Sequence, residues 1–169
     1  VENPSTGEIF GSIARGGADD IDAAVKAARA AFEGDWGRLS ATERGRLLTR
    51  LGALVQTHAE DLAQLECADV GKPISQARAD AAALARYLEY YGGAADKIHG
   101  EVIPYQNGYT VYAMREPHGV TGHIVPWNYP MQIIGRSLFA ALAMGNAAVL
   151  KPAEDASLTA LALAALAEQ

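Results

Sequence analysis

The sequence predicts an α/β fold: a series of N-terminal helices, a protruding β-hairpin, then a strand–helix–strand unit of a parallel sheet. Three features carry this. Apolar residues recur at three- and four-residue steps through much of the first hundred residues, as they do on helices buried along one face. Asn107-Gly108 separates two runs of strand-forming residues, the strongest short-range signal for a hairpin. Residues 119–154, GVTGHIVPWNYPMQIIGRSLFAALAMGNAAVLKPAE, pass from a β-branched run through a helical pattern to a second apolar run. The chain thus divides into a strand-and-helix segment (1–100), a hairpin (101–117) and a βαβα unit (118–169).

The first segment opens with a Pro/Gly-punctuated turn, Asn3 to Gly7, and a short strand near Glu8 to Ala14. Asp19 or Asp20 starts a helix whose face is Ile21, Val25, Ala28 and Phe32, and Gly34 and Gly37 around Trp36 end it. Ser40-Ala41-Thr42-Glu43 reads as a capping box. The helix it opens carries Leu47, Leu51, Leu54, Val55, Leu62 and Leu65, and stops at Gly71, where a helix end often requires positive φ. Pro73 suits the first turn of a third helix with Leu84, Tyr87, Leu88 and Tyr91 on one face. No chemistry is assigned to these helices. Cys67, the lone cysteine, lies between Glu66 and Asp69 with no basic residue within a turn, so its thiolate is disfavoured and it reads as a packed residue.

In the hairpin, Glu101–Gln106 faces Tyr109–Glu116 across Asn107-Gly108. Tyr109, Val111 and Ala113 alternate with Thr110, Tyr112 and Met114, so neither face is wholly polar. A two-stranded hairpin alone is marginal in water, so either another part of the chain covers it or another subunit does.

The last segment sets the site. The strand Val120–Val125 closes on Pro126-Trp127-Asn128-Tyr129-Pro130. A helix follows with Ile133 or Ile134, Leu138, Ala141 and Leu142 inward, stopping at Gly145-Asn146. The second strand, Ala147–Leu150, ends at Lys151-Pro152-Ala153-Glu154, and Ser157 begins another helix. A strand–helix–strand crossover of this length is right-handed and makes its strands parallel. The turns after both strands then share one edge of the sheet, the edge where open α/β sheets bind ligands. Asn128 and the Lys151/Glu154 pair are therefore expected near one crevice. Two readings stand for each: Asn128 as a functional donor or as the cap of the helix that Pro130 enters, and Lys151/Glu154 as ligand contacts or as a solvated pair.

Composition excludes several classes. A net charge of −6 without a basic stripe argues against nucleic acid. No apolar stretch is long enough for a membrane span, and no charged-then-apolar leader opens the chain. One cysteine permits no internal disulfide, so a reducing, cytoplasmic setting is expected. The four histidines show no metal-ligand spacing, and a GxGxxG loop is absent. The first residue is Val, and the helical pattern at Ala167-Glu168-Gln169 carries no terminator, so the sequence reads as part of a longer chain.

Pro126-Trp127-Asn128-Tyr129-Pro130, followed after the helix by Gly145-Asn146 and Lys151-Pro152-Ala153-Glu154, resembles the aldehyde dehydrogenase superfamily. Asn3-Pro4-Ser5-Thr6-Gly7-Glu8, Gly71-Lys72-Pro73 and Glu116-Pro117-His118-Gly119-Val120 match it in order, so the resemblance covers essentially the whole chain. It implies a Rossmann-like cofactor domain and oxidation of an aldehyde through a cysteine thioester, with hydride passing to NAD(P). Asn128 matches the amide of the oxyanion hole. Lys151 and Glu154 match the pair on the adenosine ribose, with Ala153 between them. Ile124, Val125, Pro126 and Trp127 match the strand end along the cofactor. A carboxylate at Glu154 should repel a 2′-phosphate, which favours NAD over NADP.

Arg136 departs from the aromatic residue common on the substrate side of family members for apolar aldehydes. Its guanidinium suits an acid-bearing semialdehyde, or else pairs with a structural carboxylate. The resemblance further implies a homodimer or homotetramer joined through the hairpin. The family's nucleophilic cysteine and catalytic glutamate lie downstream of this segment. A truncated nucleotide-binding or oligomerisation module, and a coenzyme A-acylating relative, are the alternatives.

Overall fold

In a computed structural model describing residues 1–169, the fold is organised around a long helix, α5 (Ile74–Ala94), with α3 (Ala41–Thr57), α4 (Ala59–Val70) and α6 (Pro130–Ala143) packed on it. Its inward residues Ala77, Ala81, Leu84 and Leu88 meet Leu48, Val55, Met131, Ile134 and Phe139 in one apolar core. Ahead of these lie β1 (Glu2–Asn3), β2 (Glu8–Ile9), α1 (Ala18–Glu33) and the short α2 (Asp35–Arg38). The expected N-terminal strand is only this small antiparallel pair; Phe10 to Ala14 join no ladder.

Two boundaries differ from the sequence expectation, each for a local reason. Helix α1 starts at Ala18, capped by Gly17, because the Asp20 carboxylate reaches back to accept the Gly17 amide at 2.7 Å. Asp20 is the third helical residue, not the first. The segment 41–70, read as one helix, breaks at His58 (φ −100°, ψ 18°). Glu60 and Asp61 occupy the first turn of α4, where carboxylates favour a fresh helix N-terminus. Apolar periodicity runs through the break, with Val55 and Leu62 both buried, and so conceals it. The capping box at Ser40 forms in both directions: the Glu43 amide donates to Ser40 Oγ at 3.3 Å, and the Ser40 amide donates to Glu43 Oε2 at 2.8 Å. Helix α4 ends on Gly71 at φ 77°, the left-handed conformation expected there.

Strands β3 (Glu101–Ile103) and β4 (Val111–Ala113) pair antiparallel with Val102 opposite Tyr112. The turn uses Gly108 at φ 89°, which is why Asn-Gly serves there. The ladder is shorter than the apolar runs suggest, and both strands are exposed on both faces apart from half-buried Val111.

Strand β5 (Val120–Ile124) pairs with β6 (Ala147–Lys151) in parallel, Val120 opposite Ala147 through Ile124 opposite Lys151, with α6 as the crossover. Helices α1 and α6 both pack on this pair, and α7 (Leu158–Ala167) closes the unit against α4. Asn146 fixes the α6–β6 turn. Its Oδ1 accepts the Gly119 amide at 3.1 Å and its Nδ2 donates to Ala141 at 3.0 Å, while Trp36 Nε1 donates to its carbonyl at 2.9 Å. The expected apolar face of α1 is only partly covered: Ala28 is buried, but Ile21 and Val25 are exposed.

Candidate active site

Parallel pairing brings the ends of β5 and β6 to one edge, and the turns beyond them are held by specific contacts. The Val125 amide donates to the Lys151 carbonyl at 3.0 Å, so the strands stay joined one residue past the ladder. Past it, Pro126, Trp127 and Asn128 are exposed before buried Pro130 enters α6. Tyr129 is the N-cap of α6, its own side chain makes no cap, and the free Met131 amide of the first turn goes to Glu66, which removes the capping reading of Asn128. The Asn128 amide has no partner within the chain and faces solvent. Ile124 and Trp127 are 83% and 59% exposed, an apolar surface beside that amide.

The second turn is fixed from beneath. Ser157 Oγ donates to the Ala153 carbonyl at 2.7 Å, and Asp69 Oδ2 accepts the amide of Leu158, the first residue of α7, at 2.9 Å. Burial pushes the Asp69 carboxyl up from its ordinary value. Lys151 and Glu154 project from this turn, both exposed, and no ion pair joins them to each other or to any other residue. Trp127 and Glu154 line the same cleft, a space of about 560 Å³.

A buried charge cluster lies behind the first turn, and sequence reasoning missed it. Lys72, with its side chain 7% exposed, reaches Glu66 Oε1 at 2.5 Å and Asp80 Oδ2 at 2.6 Å. Burial alone would pull the Lys72 ammonium down, but the two carboxylates outweigh it and hold it above its ordinary value. One cation faces two buried anions, and burial raises the Glu66 carboxyl. The second oxygen of each carboxylate is also used: Glu66 Oε2 accepts the Met131 amide at 3.3 Å, and Asp80 Oδ1 accepts Gln132 Nε2 at 2.6 Å. A usable signal was present. Glu66 falls on the same stripe as Leu62 and Ala63, and Asp80 on that of Ala77 and Leu84; a carboxylate on an apolar stripe needs a buried partner.

The remaining candidates separate cleanly. Arg136 is exposed on α6; its carbonyl accepts the Tyr91 hydroxyl at 3.2 Å, but no carboxylate of this chain pairs with its guanidinium. Cys67 is half-buried with its Sγ 3.0 Å from the Lys72 carbonyl. His123 pairs with Thr121 Oγ1 at 3.0 Å, and no cluster of His, Cys, Asp or Glu is placed to hold a metal. No helix is long and apolar enough to cross a membrane.

A parallel βαβ unit with free polar groups on both turns of its carboxyl edge has the layout of an α/β domain, in which that edge is where open sheets bind ligands. The sequence profile of the aldehyde dehydrogenase family matches residues 1–169, and the chain belongs to that family. It is 49% identical over 160 residues to aldehyde dehydrogenase family 2 member B4, mitochondrial, of Arabidopsis thaliana, covering 94% of this chain and 30% of that protein. It is 47% identical over 163 residues to a hydroxyisobutyraldehyde dehydrogenase of Mycolicibacterium austroafricanum, covering 96% and 32%. The fold superposes on the crystal structure of a protein assigned as an aldehyde dehydrogenase from Burkholderia cenocepacia with a TM-score of 0.98 and 66% identity, over 99% of this chain and 35% of that one. The NAD+ complex of an aldehyde dehydrogenase from Bacillus cereus gives 0.96 and 43%, over 99% and 34%. The chain thus spans about a third of the length of the relatives it matches.

Proposed function

We propose that this chain supplies the cofactor edge and the oxyanion donor of an NAD-dependent aldehyde dehydrogenase, which oxidises an aldehyde to the carboxylic acid. The observation that carries the reading is the set of unpartnered polar groups on one sheet edge: Asn128 on one turn, Lys151 and Glu154 on the next. The Asn128 NH₂ is a neutral donor free to meet the substrate oxygen as negative charge grows on it. The residues present fit a dinucleotide. Glu154 can accept from ribose hydroxyls and Lys151 can donate, with no internal ion pair to break first. Exposed Ile124 and Trp127, with Pro126 and Ala153, give the strand edge along which it lies, while the Val125 side chain is buried in the core and can offer only its backbone. Bound NAD would supply the hydride acceptor. Glu154 sets NAD over NADP by repelling a 2′-phosphate. The nucleophilic thiol and the water-activating glutamate come from the part of the family's length outside this segment; Cys67, turned to a backbone carbonyl, does not serve.

The test is NAD reduction by the full-length protein. Asn128→Ala should lower kcat about 10²–10³-fold with little change in KM. An unchanged kcat removes Asn128 from the mechanism.

Arg136 points to an aldehyde that bears an acid group, since its guanidinium has no carboxylate of its own in this chain. Equal kcat/KM for acid-bearing and simple aliphatic aldehydes overturns that substrate class. The hairpin, with Val102, Tyr109, Tyr112 and Met114 all more than half exposed, is read as the arm that joins copies into a homodimer or homotetramer. A monomer by sedimentation would remove this role. The single thiol of this segment suits a reducing compartment such as the cytoplasm, although several relatives carry mitochondrial names. Fractionation decides between the two.

A further inference from the structure

The turn that carries Asn128 leaves little chain free. Val125 is tied to Lys151, and after Pro126, Trp127 and Asn128 the chain is gripped again from Tyr129 onward. That second grip comes from the buried cluster of Glu66 on α4, Lys72 in the turn after it and Asp80 on α5, with Gln76 of α5 beside it. Lys72 Nζ lies 4.6 Å from the centroid of the Tyr129 ring, and Gln76 Nε2 donates to the Tyr129 hydroxyl at 2.5 Å. Glu66 takes the Met131 amide, and Asp80 takes the Gln132 side chain. Residues 129, 131 and 132 are therefore each held by a group within, or adjacent to, one ion cluster.

Such a cluster is stiff, because neither carboxylate can turn without stranding a buried charge. Well-packed apolar side chains would often stabilise the same space equally well. Charges are distinguished by direction: they fix where the start of α6 sits, and thereby the end of a short turn.

We propose that Lys72, with Glu66 and Asp80, is a positioning residue: it fixes the Asn128 amide for the reaction by holding the Tyr129–Gln132 start of α6. This rests on the reading of Asn128 as the oxyanion donor. A displacement of about an ångström at such a donor is enough to lower the rate by about 10²-fold.

The experiment is a double-mutant cycle in the full-length protein. Lys72→Met is made in the wild type and in Asn128→Ala, and kcat, KM for NAD and the melting temperature are measured. Asp80→Asn, which keeps the side-chain shape and removes the surplus negative charge, is run in parallel in case Lys72→Met does not fold. In the wild-type background each folded variant should lose at least about tenfold in kcat with KM for NAD unchanged. In the Asn128→Ala background the same substitution should change kcat by less than about twofold, because the amide whose placement matters is gone.

Losses that multiply across the cycle overturn the positioning role and leave the oxyanion reading intact. An unaltered kcat in a folded variant, or failure of both variants to fold, also overturns the positioning role. If Asn128→Ala alone leaves kcat unchanged, the oxyanion reading itself fails, and the positioning role fails with it.

Discussion

Lys72 and Lys151 carry the same ammonium group, and each is followed by proline, yet they stand in opposite surroundings. Lys72 is enclosed between two carboxylates behind the turn after β5. Lys151 projects into solvent from the end of β6 without an ionic partner. The difference teaches how to sort polar groups in this fold. Taking a charge out of water is expensive, so a buried ion cluster of this kind is held by its full set of partners and acts through rigidity. An exposed one adds little to stability and is free to meet a ligand. The cluster behind the start of α6 holds its charges closed; the sheet edge holds them open.

The sharpest way to break this comparison is to open the closed side. Lys72→Met in the full-length protein strands two buried carboxylates and should cost about 3–5 kcal/mol of stability. The deficit should depend on pH. Burial already raises Glu66 above its ordinary value, and removing the ammonium raises it further. A carboxyl whose folded pKa is raised gives stability that is present at low pH and lost as pH rises through that value. The melting difference between Lys72→Met and the wild type should therefore be larger at pH 8 than at pH 5. A difference independent of pH would mean that lost packing, not stranded charge, is the cause.

Asn128→Ala should do the reverse. Its amide touches nothing in the chain, so stability should stay within about 0.5 kcal/mol of the wild type while kcat falls as stated above. A melting shift comparable with that of Lys72→Met would put Asn128 on the closed side after all. Glu154→Gln should be gentler still. Stability should not move, and the preference for NAD over NADP should narrow about tenfold, the scale of one charge contact near a surface. An unaltered preference in steady-state kinetics would take cofactor discrimination away from Glu154.

The sequence disclosed the open side far better than the closed one, for a physical reason. The open groups lie at the ends of two strands whose period and turn residues are local signals, so their common edge follows from topology alone. The capping box at Ser40 and the left-handed Gly71 were legible in the same way. The closed cluster is not local. Glu66 and Asp80 lie 6 and 8 residues from Lys72, and their further partners Met131 and Gln132 are 65 and 52 residues away from them. Nothing in Gly71-Lys72-Pro73 says that the lysine turns inward. The break at His58 was hidden similarly, since both helices present apolar residues to the same core. The free partner of the hairpin remained open in the sequence because its two faces are nearly alike.

The smallest effect belongs to a pair that is exposed yet partnered. The Arg78 guanidinium forks onto Glu60, with Nε and Nη2 each 2.8 Å from a carboxylate oxygen, and the two side chains are 56% and 49% exposed. The hydrogen bonds from Arg78, and then from Gln64, hold the Glu60 carboxyl down to about 2. A carboxyl with a depressed folded pKa gives stability that is fully present above its unfolded value and is lost as pH falls through the folded one. Between pH 5 and pH 8 that contribution is constant, and water screens it. Arg78→Ala should therefore melt within error of the wild type at pH 7, and any residual difference should be flat from pH 5 to pH 8. Lys72→Met slopes across the same range. A slope for Arg78→Ala as steep as that of Lys72→Met would mean that partnership, and not burial, decides which charges hold this fold.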